Sequence, residues 1–261
     1  MKRILSLFIT LLFFGCQQDS KYIRSNTVQL ATPLIKSASL FASEFNQIEA
    51  PFLNASQNLE VNYLEGNEKE IYTSKENIVL NQIGTYQIRT IAPPFLPSEW
   101  VALEVLPKGK TISSISWETN PKPKYFKGGS SVLIDGKSAE ISFHSKGWTG
   151  SNTPFQLRIY LDNVTYIDSL TLGVLSNPSA WIYPTSELQI KIQNENSKVI
   201  VKEFEIQVDG NLNAQKHAFI SFDIGEEVNE LQLDFIPKNL PEEHPGAGTP
   251  AWFFLDELIL Y

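Results

Sequence analysis

Apolar and polar residues alternate along most of this chain, and beyond residue 26 no stretch carries a sustained helical period. A clear example is residues 155–161 (FQLRIYL), in which every second residue is strongly apolar. That alternation is typical of a strand with one buried face and one wet face. Further strands are predicted at Leu59–Tyr63, Ile88–Ile91, Val101–Val105, Leu170–Val174, Leu188–Ile192, Phe204–Val208, Ala218–Phe222, Leu231–Phe235 and Trp252–Tyr261.

Turn-forming residues separate these runs, with Gly, Pro, Asn and Asp at most of the breaks. No helical stretch lies between the strands, so the spacing favours antiparallel sandwiches over β-α-β units. We therefore predict an all-β fold made of two antiparallel β-sandwiches. The Pro-Lys-Gly segment at 107–109 marks the boundary, which gives a first domain at 27–107 and a second at 108–261.

The first 26 residues predict export and a lipid anchor. A positive start (Lys2 and Arg3) precedes the apolar run 4–14, which would span only about 16–18 Å of a hydrocarbon core of roughly 30 Å. Gly15 and Cys16 follow, and this order resembles a bacterial lipoprotein signal. The resemblance implies a signal peptide at 1–15, lipidation of Cys16 and a polar tether at 16–26.

Charge and cysteine content exclude two classes of protein. The net charge is −8, the isoelectric point is near 5.0, and the basic residues are scattered, which argues against a nucleic-acid partner. Cys16 is the only cysteine, so no disulfide can form within the chain. The fold must therefore be stabilised by its apolar core.

Several motifs of the second domain resemble a known family. They are Asp135-Gly136, 147–150 (GWTG), 179–184 (SAWIYP), 244–248 (HPGAG) and 251–257 (AWFFLDE). In this order they resemble the galactose-binding-like, or discoidin, module at the end of many Bacteroidetes family 20 β-hexosaminidases. The first domain is similar to the chitobiase/hexosaminidase C-terminal domain that precedes this module. The resemblance implies an immunoglobulin-like sandwich followed by a galactose-binding-like jelly roll.

The adjacent acids Asp256 and Glu257 invite comparison with the Asp-Glu pair of family 20 catalysis. In a regular strand, neighbouring side chains point to opposite faces, so the two carboxylates are not expected to converge on one glycosidic oxygen. The sequence contains no G-x-S-x-G and no H-E-x-x-H motif, and the three histidines lack metal-ligand spacing. The roughly 250-residue catalytic barrel of those enzymes has no counterpart in these residues. We predict no catalytic residues and no enzyme activity.

The resemblance also implies a structural calcium ion. Discoidin-type modules often hold calcium between an Asp-Gly loop and an acid in the last strand, and Asp135 and Glu257 occupy the matching places. Calcium requires six to eight oxygen ligands, so backbone carbonyls would supply most of them. The alternative is that Asp135 only caps a turn in which Gly136 takes a positive φ. No other cofactor is predicted.

Sugar-binding modules present aromatic rings to the apolar face of a pyranose, with a few polar groups that fix the hydroxyls. His244, Trp252, Trp148 and Tyr183 are the predicted ligand-binding residues, because they lie near loops or strand ends. The alternative is that these rings pack beneath the loops, as the family places Trp148 and Trp181. The 244–248 loop could also dock against another domain.

The predicted function is that of a non-catalytic, carbohydrate-binding lipoprotein. It would be anchored in the outer membrane, facing the periplasm or the cell surface, and would hold a glycan or a glycan-processing protein there. The alternative is a structural lipoprotein that docks a partner protein and binds no sugar. A third possibility, an enzyme, would need an acid/base pair brought together across the two domains.

Overall fold

The computed structural model describes residues 28–33, 38–39, 41–42, 57–66, 68–73, 78, 80–184, 186–193, 199–206 and 216–261. Residues 1–26, which contain the predicted signal peptide, Cys16 and the tether, lie outside this set, as does the predicted end of a strand at Val208. Within the described ranges the protein is all-β, with antiparallel sheets and only short 3₁₀ turns. None of its described helices is long and apolar enough to cross a membrane.

Thirteen strands are described, and we number them in chain order. They are β1 (Ala38–Ser39), β2 (Asn58–Tyr63), β3 (Glu68–Thr73), β4 (Gly84–Ile91), β5 (Val101–Val105), β6 (Ser114–Thr119), β7 (Lys137–Ser138), β8 (Thr149–Ser151), β9 (Phe155–Ser176), β10 (Ser186–Gln193), β11 (Val199–Ile206), β12 (Lys216–Pro237) and β13 (Phe253–Leu260).

The first part of the chain forms a four-stranded antiparallel sheet with strand order β3-β2-β4-β5. Its inward side chains form a separate core, which includes Leu59, Val61, Ile88 and Val105. An immunoglobulin-like sandwich needs a second sheet packed against this one. The other strand described in this part is the two-residue β1, which pairs with β7 rather than with a second sheet of the first part, so the immunoglobulin-like fold remains a prediction.

The second part forms a seven-stranded antiparallel sheet, in which β11-β10-β12-β9-β13-β8 follow one another and β6 also pairs with β9. Two of its strands, β9 and β12, are 22 residues long, and each joins two runs that the sequence predicted as separate strands. The pairing of β9 with β12 continues through two register shifts near Gly225, so bulges replace the expected turns.

The long strands place the sheet in two layers around one core. The five-strand layer contains β11, β10, residues 230–237 of β12, the start of β9, and β6. The four-strand layer contains residues 216–228 of β12, the end of β9, β13 and β8. Apolar side chains of both layers share one buried cluster, which includes Leu157, Leu172, Ile190, Leu233 and Leu258.

Strand β13 is buried along its whole length, from Phe253 to Leu260. One face contributes to the shared core, and Phe254 on the other face belongs to a second cluster with Trp148, Leu175 and Ile182. The segment between β6 and β8 therefore covers the outside of β13. This cover explains how acidic residues of β13 become buried.

The first part of the chain contacts the second beside the Asp135 loop. Strand β1 pairs with β7 through Ala38–Ser138 and Ser39–Lys137. The ring of Phe41 packs on Gly136, so that a Cβ at residue 136 would lie 2.8 Å from it.

Candidate functional site

The first candidate site lies at one end of the four-strand layer, where two loops meet the start of β13. A 3₁₀ turn at Pro178–Ala180 ends at Trp181, whose backbone takes a left-handed conformation with φ 64°. The N–H of Trp252 donates to the carbonyl of Trp181 over 2.9 Å, and the N–H of Tyr183 donates to the carbonyl of Trp252 over 3.0 Å. These bonds attach the 181–183 segment to β13.

The second loop places His244 beside Trp181. Nδ1 of His244 accepts a hydrogen bond from the N–H of Gly246 over 3.0 Å, so the neutral ring carries its proton on Nε2. The imidazole meets Trp181 and Tyr183 edge-on, at centroid distances of 5.5 and 5.6 Å. A Cβ at Gly246 would lie 3.0 Å from the Trp181 ring, so a larger residue there would have to push the ring or the loop aside by a few tenths of an ångström.

Among Trp181, Tyr183 and Trp252, it is Trp181 that faces solvent, with 45% of its surface exposed. Tyr183 is buried, and burial together with the charge of Glu243 raises the pKa of its hydroxyl. Trp252 is partly buried and lies edge-on to Tyr125 at 4.9 Å. The structure thus brings His244, Tyr183 and Trp252 near one another, with Trp181 as the accessible platform.

Trp148 is not part of this surface. Only 1% of it is exposed, and its Nε1 donates to the carbonyl of Glu140 over 2.6 Å. Because its ring is enclosed, it cannot stack on a sugar that approaches from solvent. The alternative in which Trp148 packs beneath the loops describes its position, whereas Trp181 had been expected to pack in the same way and is exposed instead.

The second candidate site surrounds Asp256 and Glu257, both of which are almost fully buried. The register of β13 against β9 shifts between Leu255 and Glu257, which makes Asp256 the extra residue of a β-bulge. The carboxylate of Glu257 accepts from the N–H of Gly136 at 3.2 Å, and that of Asp256 accepts from the N–H of Ala139 at 3.0 Å. Both acids therefore contact the same loop.

This geometry corrects the expectation that strand alternation sends the two carboxylates to opposite faces. Alternation holds only while the pleat is regular, and the bulge interrupts it at Asp256. The two carboxylates are close enough for Asp256 to raise the pKa of Glu257. Strand alternation therefore does not keep the two carboxylates apart.

Asp256 also holds His217 in a chain of hydrogen bonds. Its carboxylate can only accept, so Nε2 of His217 donates to it over 3.0 Å, and Nδ1 is left to accept from the hydroxyl of Ser138 over 3.0 Å. In serine hydrolases the serine bonds Nε2 and the acid bonds Nδ1, which is the reverse of this order. We infer that this series of hydrogen bonds holds β7 against β12 and β13.

Ionisation of Glu257 is unfavourable at this site. Burial, followed by repulsion from Asp135 and Asp256, raises the pKa of Glu257 to about 9, although backbone N–H groups of Gly136 and Lys137 oppose the shift. No ion pair to Glu257 is found among the described residues. At neutral pH the group is therefore protonated unless a cation joins it.

The predicted calcium pair, Asp135 and Glu257, lies close enough for the charge of Asp135 to raise the pKa of Glu257. Oδ1 of Asp135 accepts from the N–H of Lys137 over 2.9 Å, and Gly136 has φ 68°, so the capped turn of the alternative is also present. Within the described ranges no group of three or more His, Cys, Asp or Glu side chains could hold a metal ion. The buried, uncompensated Glu257 fits the charge that calcium would need, and backbone carbonyls would have to complete its ligands.

No family model matches the chain, and no curated protein matches it. Similar solved structures include a carbohydrate-binding module from Clostridium perfringens in complex with GalNAc-β-1,3-galactose, at 11% identity and a TM-score of 0.36. The match covers 57% of this chain and 94% of the module. The C-terminal domain of a chitobiase from Bacteroides fragilis is similar at 16% identity and a TM-score of 0.32, covering 58% of this chain and 91% of that one.

An F5/8 type C domain from Bacteroides fragilis is also similar, at 16% identity and a TM-score of 0.32, covering 57% of this chain and 89% of that one. Similarities this weak carry no argument about the function of the chain. The case for its function therefore rests on its own residues.

Proposed function

We propose that this chain is a non-catalytic carbohydrate-binding lipoprotein, with its sugar site on the loops around Trp181 and His244. The observation that carries the proposal is the exposed Trp181 ring, which stands beside an imidazole at the end of a β-structure. Aromatic faces pack against the apolar face of a pyranose, and a neighbouring polar group fixes a hydroxyl. Nε2–H of His244 is such a group, because its contact with the carbonyl of Pro178 is long, at 3.4 Å.

The backbone of Trp181 supports a binding role. A bulky residue at φ 64° costs of order 1–3 kcal/mol, and such strain is concentrated at ligand sites, where surrounding contacts enforce it. Here the hydrogen bond from Trp252 and the close approach of Gly246 hold the strained residue with its ring outward.

The charge around Trp181 favours an uncharged sugar. Neither the 170–190 segment nor the 239–261 segment contains Lys or Arg, whereas Glu242 and Glu243 lie in the same loop as His244. Lys124 lies over the ring of Tyr125 at 5.0 Å, on the Trp252 side of the site. Recognition of carboxylate or phosphate groups normally uses basic side chains. We therefore assign the loop site to neutral hexoses or N-acetylhexosamines.

The finer parts of the proposal come from the sequence. The second domain would be a galactose-binding-like jelly roll with calcium between Asp135 and Glu257, and the first an immunoglobulin-like sandwich. Lipidation of Cys16 would anchor both in the outer membrane, next to a glycan or a glycan-processing protein. Incorporation of labelled palmitate into the wild-type chain but not into Cys16→Ala would test the anchor.

A glycan array probed with the full-length protein in detergent micelles tests sugar binding. We expect neutral galactosides or N-acetylhexosaminides to be retained, and Trp181→Ala to lower the affinity at least tenfold. Trp100→Ala, in the first part of the chain, is the matched control and should bind as the wild type does. An array on which no glycan is retained would count against the proposal.

A second candidate function is docking of a partner protein by the same end of the second domain. It is favoured by the burial of Trp148 and Tyr183, which leaves Trp181 as the exposed aromatic platform. Crosslinking from residue 181 distinguishes the two. A protein adduct that forms without any glycan ligand would favour docking.

A further inference from the structure

A groove with a volume of about 450 Å³ crosses the solvent face of the five-strand layer, apart from the loop that holds Trp181. Its lining includes Leu188, Phe235 and Phe155, whose side chains are buried in the core. Because side chains alternate along a strand, the residues next to Leu188, Phe235 and Phe155 in sequence point to the opposite, solvent face of the sheet. The groove therefore lies on the outside of the sheet.

The strand register places a row of polar residues across the floor of this groove. Cα pairings connect Glu203 to Gln189, Gln189 to Asp234, Asp234 to Gln156, and Gln156 to Thr119. The row thus crosses all five strands of the layer, a distance of about 19 Å at a strand spacing of roughly 4.8 Å. Such a row offers hydrogen-bond donors and acceptors at each step.

The charge of the groove is negative. Its lining contains Glu187, Glu203 and Asp234 and no Lys or Arg. Asp234 is paired with Lys191 at 2.7 Å, whereas neither Glu187 nor Glu203 forms an ion pair within the described residues. Gln189 donates to Glu203 over 3.0 Å, which orients that carboxylate without neutralising it. Two negative charges thus remain for a ligand to compensate.

We propose that this groove binds an oligosaccharide chain that carries free amino groups, such as a deacetylated hexosamine polymer. Ammonium groups would pair with Glu187 and Glu203, and hydroxyls would bond Gln156, Gln189 and Thr119. An anionic glycan would be repelled. A neutral glycan would remove water from the carboxylates without supplying a positive charge in its place. The groove is independent of the neutral-sugar site at Trp181 and goes beyond it.

Fluorescence anisotropy of a labelled glucosamine hexamer with the full-length protein, at pH 6 and low salt, tests the proposal. We expect saturable binding that weakens at least tenfold in Glu187→Gln/Glu203→Gln and is unchanged in Trp181→Ala. The labelled N-acetylglucosamine hexamer, which lacks the charge, should not respond to the Glu187→Gln/Glu203→Gln change. A loss confined to Trp181→Ala would point to the loop site and overturn the groove proposal.

Asp223→Asn/Glu227→Gln is the matched control, because it removes the same charge from the other half of β12. It should bind the glucosamine hexamer as the wild type does. An equal loss of affinity in this control would show that binding depends only on the net charge of the protein, and it would overturn the proposal. Spermine, which offers amines without hydroxyls, should compete poorly. Equally tight binding of spermine would indicate that the groove binds polyamines rather than saccharides, and it would also overturn the proposal.

Discussion

Gly173 lies directly against Asp256, so that a Cβ added at residue 173 would fall 2.0 Å from Oδ1 of the carboxylate. It would also lie 3.1 Å from Nε2 of His217, which donates to that oxygen. The absence of a side chain on β9 therefore makes room for the buried hydrogen bond between Asp256 of β13 and His217 of β12. The bulge at Asp256 and Gly173 opposite it therefore act together to place the buried carboxylate.

Gly173→Ala should destabilise the second domain by about 3 kcal/mol. The methyl group would force the carboxylate from its hydrogen bonds with Ala139 and His217, and both overpacking and the loss of hydrogen bonds to a buried carboxylate carry costs of this order. Urea unfolding followed by tryptophan fluorescence measures the loss. In an Asp256→Ala background the same change should cost less than about 1 kcal/mol, and equal costs in the two backgrounds would contradict the contact.

The raised pKa of Glu257 predicts that metal-free protein loses stability as pH rises. The folded state keeps the proton up to about pH 9, whereas the unfolded state releases it near 4.5, so folding binds a proton between these values. The contribution is fully present below pH 4.5, and it decreases by up to about 1.4 kcal/mol per pH unit until pH 9.

The measurement compares unfolding free energies of the wild type and Glu257→Gln at pH 5, 7 and 9 in the presence of EDTA. Glutamine keeps the shape of the side chain and cannot ionise, so the stability gap between the two proteins should move in favour of the variant with rising pH. A constant gap would mean that Glu257 titrates normally in the folded protein.

Calcium should reverse this trend if it binds between Asp135 and Glu257. A divalent cation favours the ionised carboxylate, so 1 mM calcium at pH 8 should raise the melting temperature of the wild type and remove its loss of stability with pH. Glu257→Gln should show no shift with calcium. Magnesium serves as the control ion, since it demands a tighter octahedral site. No calcium shift in the wild type would leave Asp135 as the cap of a turn.

Period-two alternation was enough to predict most of the strands, because burial on one face leaves a direct trace in the sequence. It failed to show that β9 and β12 are continuous, since the polar stretch around Asn163 looks like a turn and is instead the place where a long strand passes between layers. Strands β3 and β6 were missed because they are edge strands with few buried residues, and β1, β7 and β8 were missed because they are only two or three residues long.

The sites were harder to predict, because they depend on single residues. A bulge adds one residue to a strand without changing the composition, so the convergence of Asp256 and Glu257 on one loop was invisible in the sequence. The exposure of Trp181 depends on a left-handed backbone and on Gly246 behind its ring. The two prolines around the 178–184 segment were the available signal that it forms a loop at a rim.

The two tryptophans that the family resemblance treats alike should behave in opposite ways. Trp148→Ala should cost about 3–5 kcal/mol, since the ring is enclosed and its Nε1 bonds Glu140, whereas Trp181→Ala should change stability by less than about 1 kcal/mol. Trp181→Gly should be more stable than Trp181→Ala by about 1 kcal/mol, because glycine accepts φ 64° without strain. Urea unfolding of the three variants checks this order, and a Trp181→Ala loss as large as that of Trp148→Ala would show that Trp181 is a packing residue.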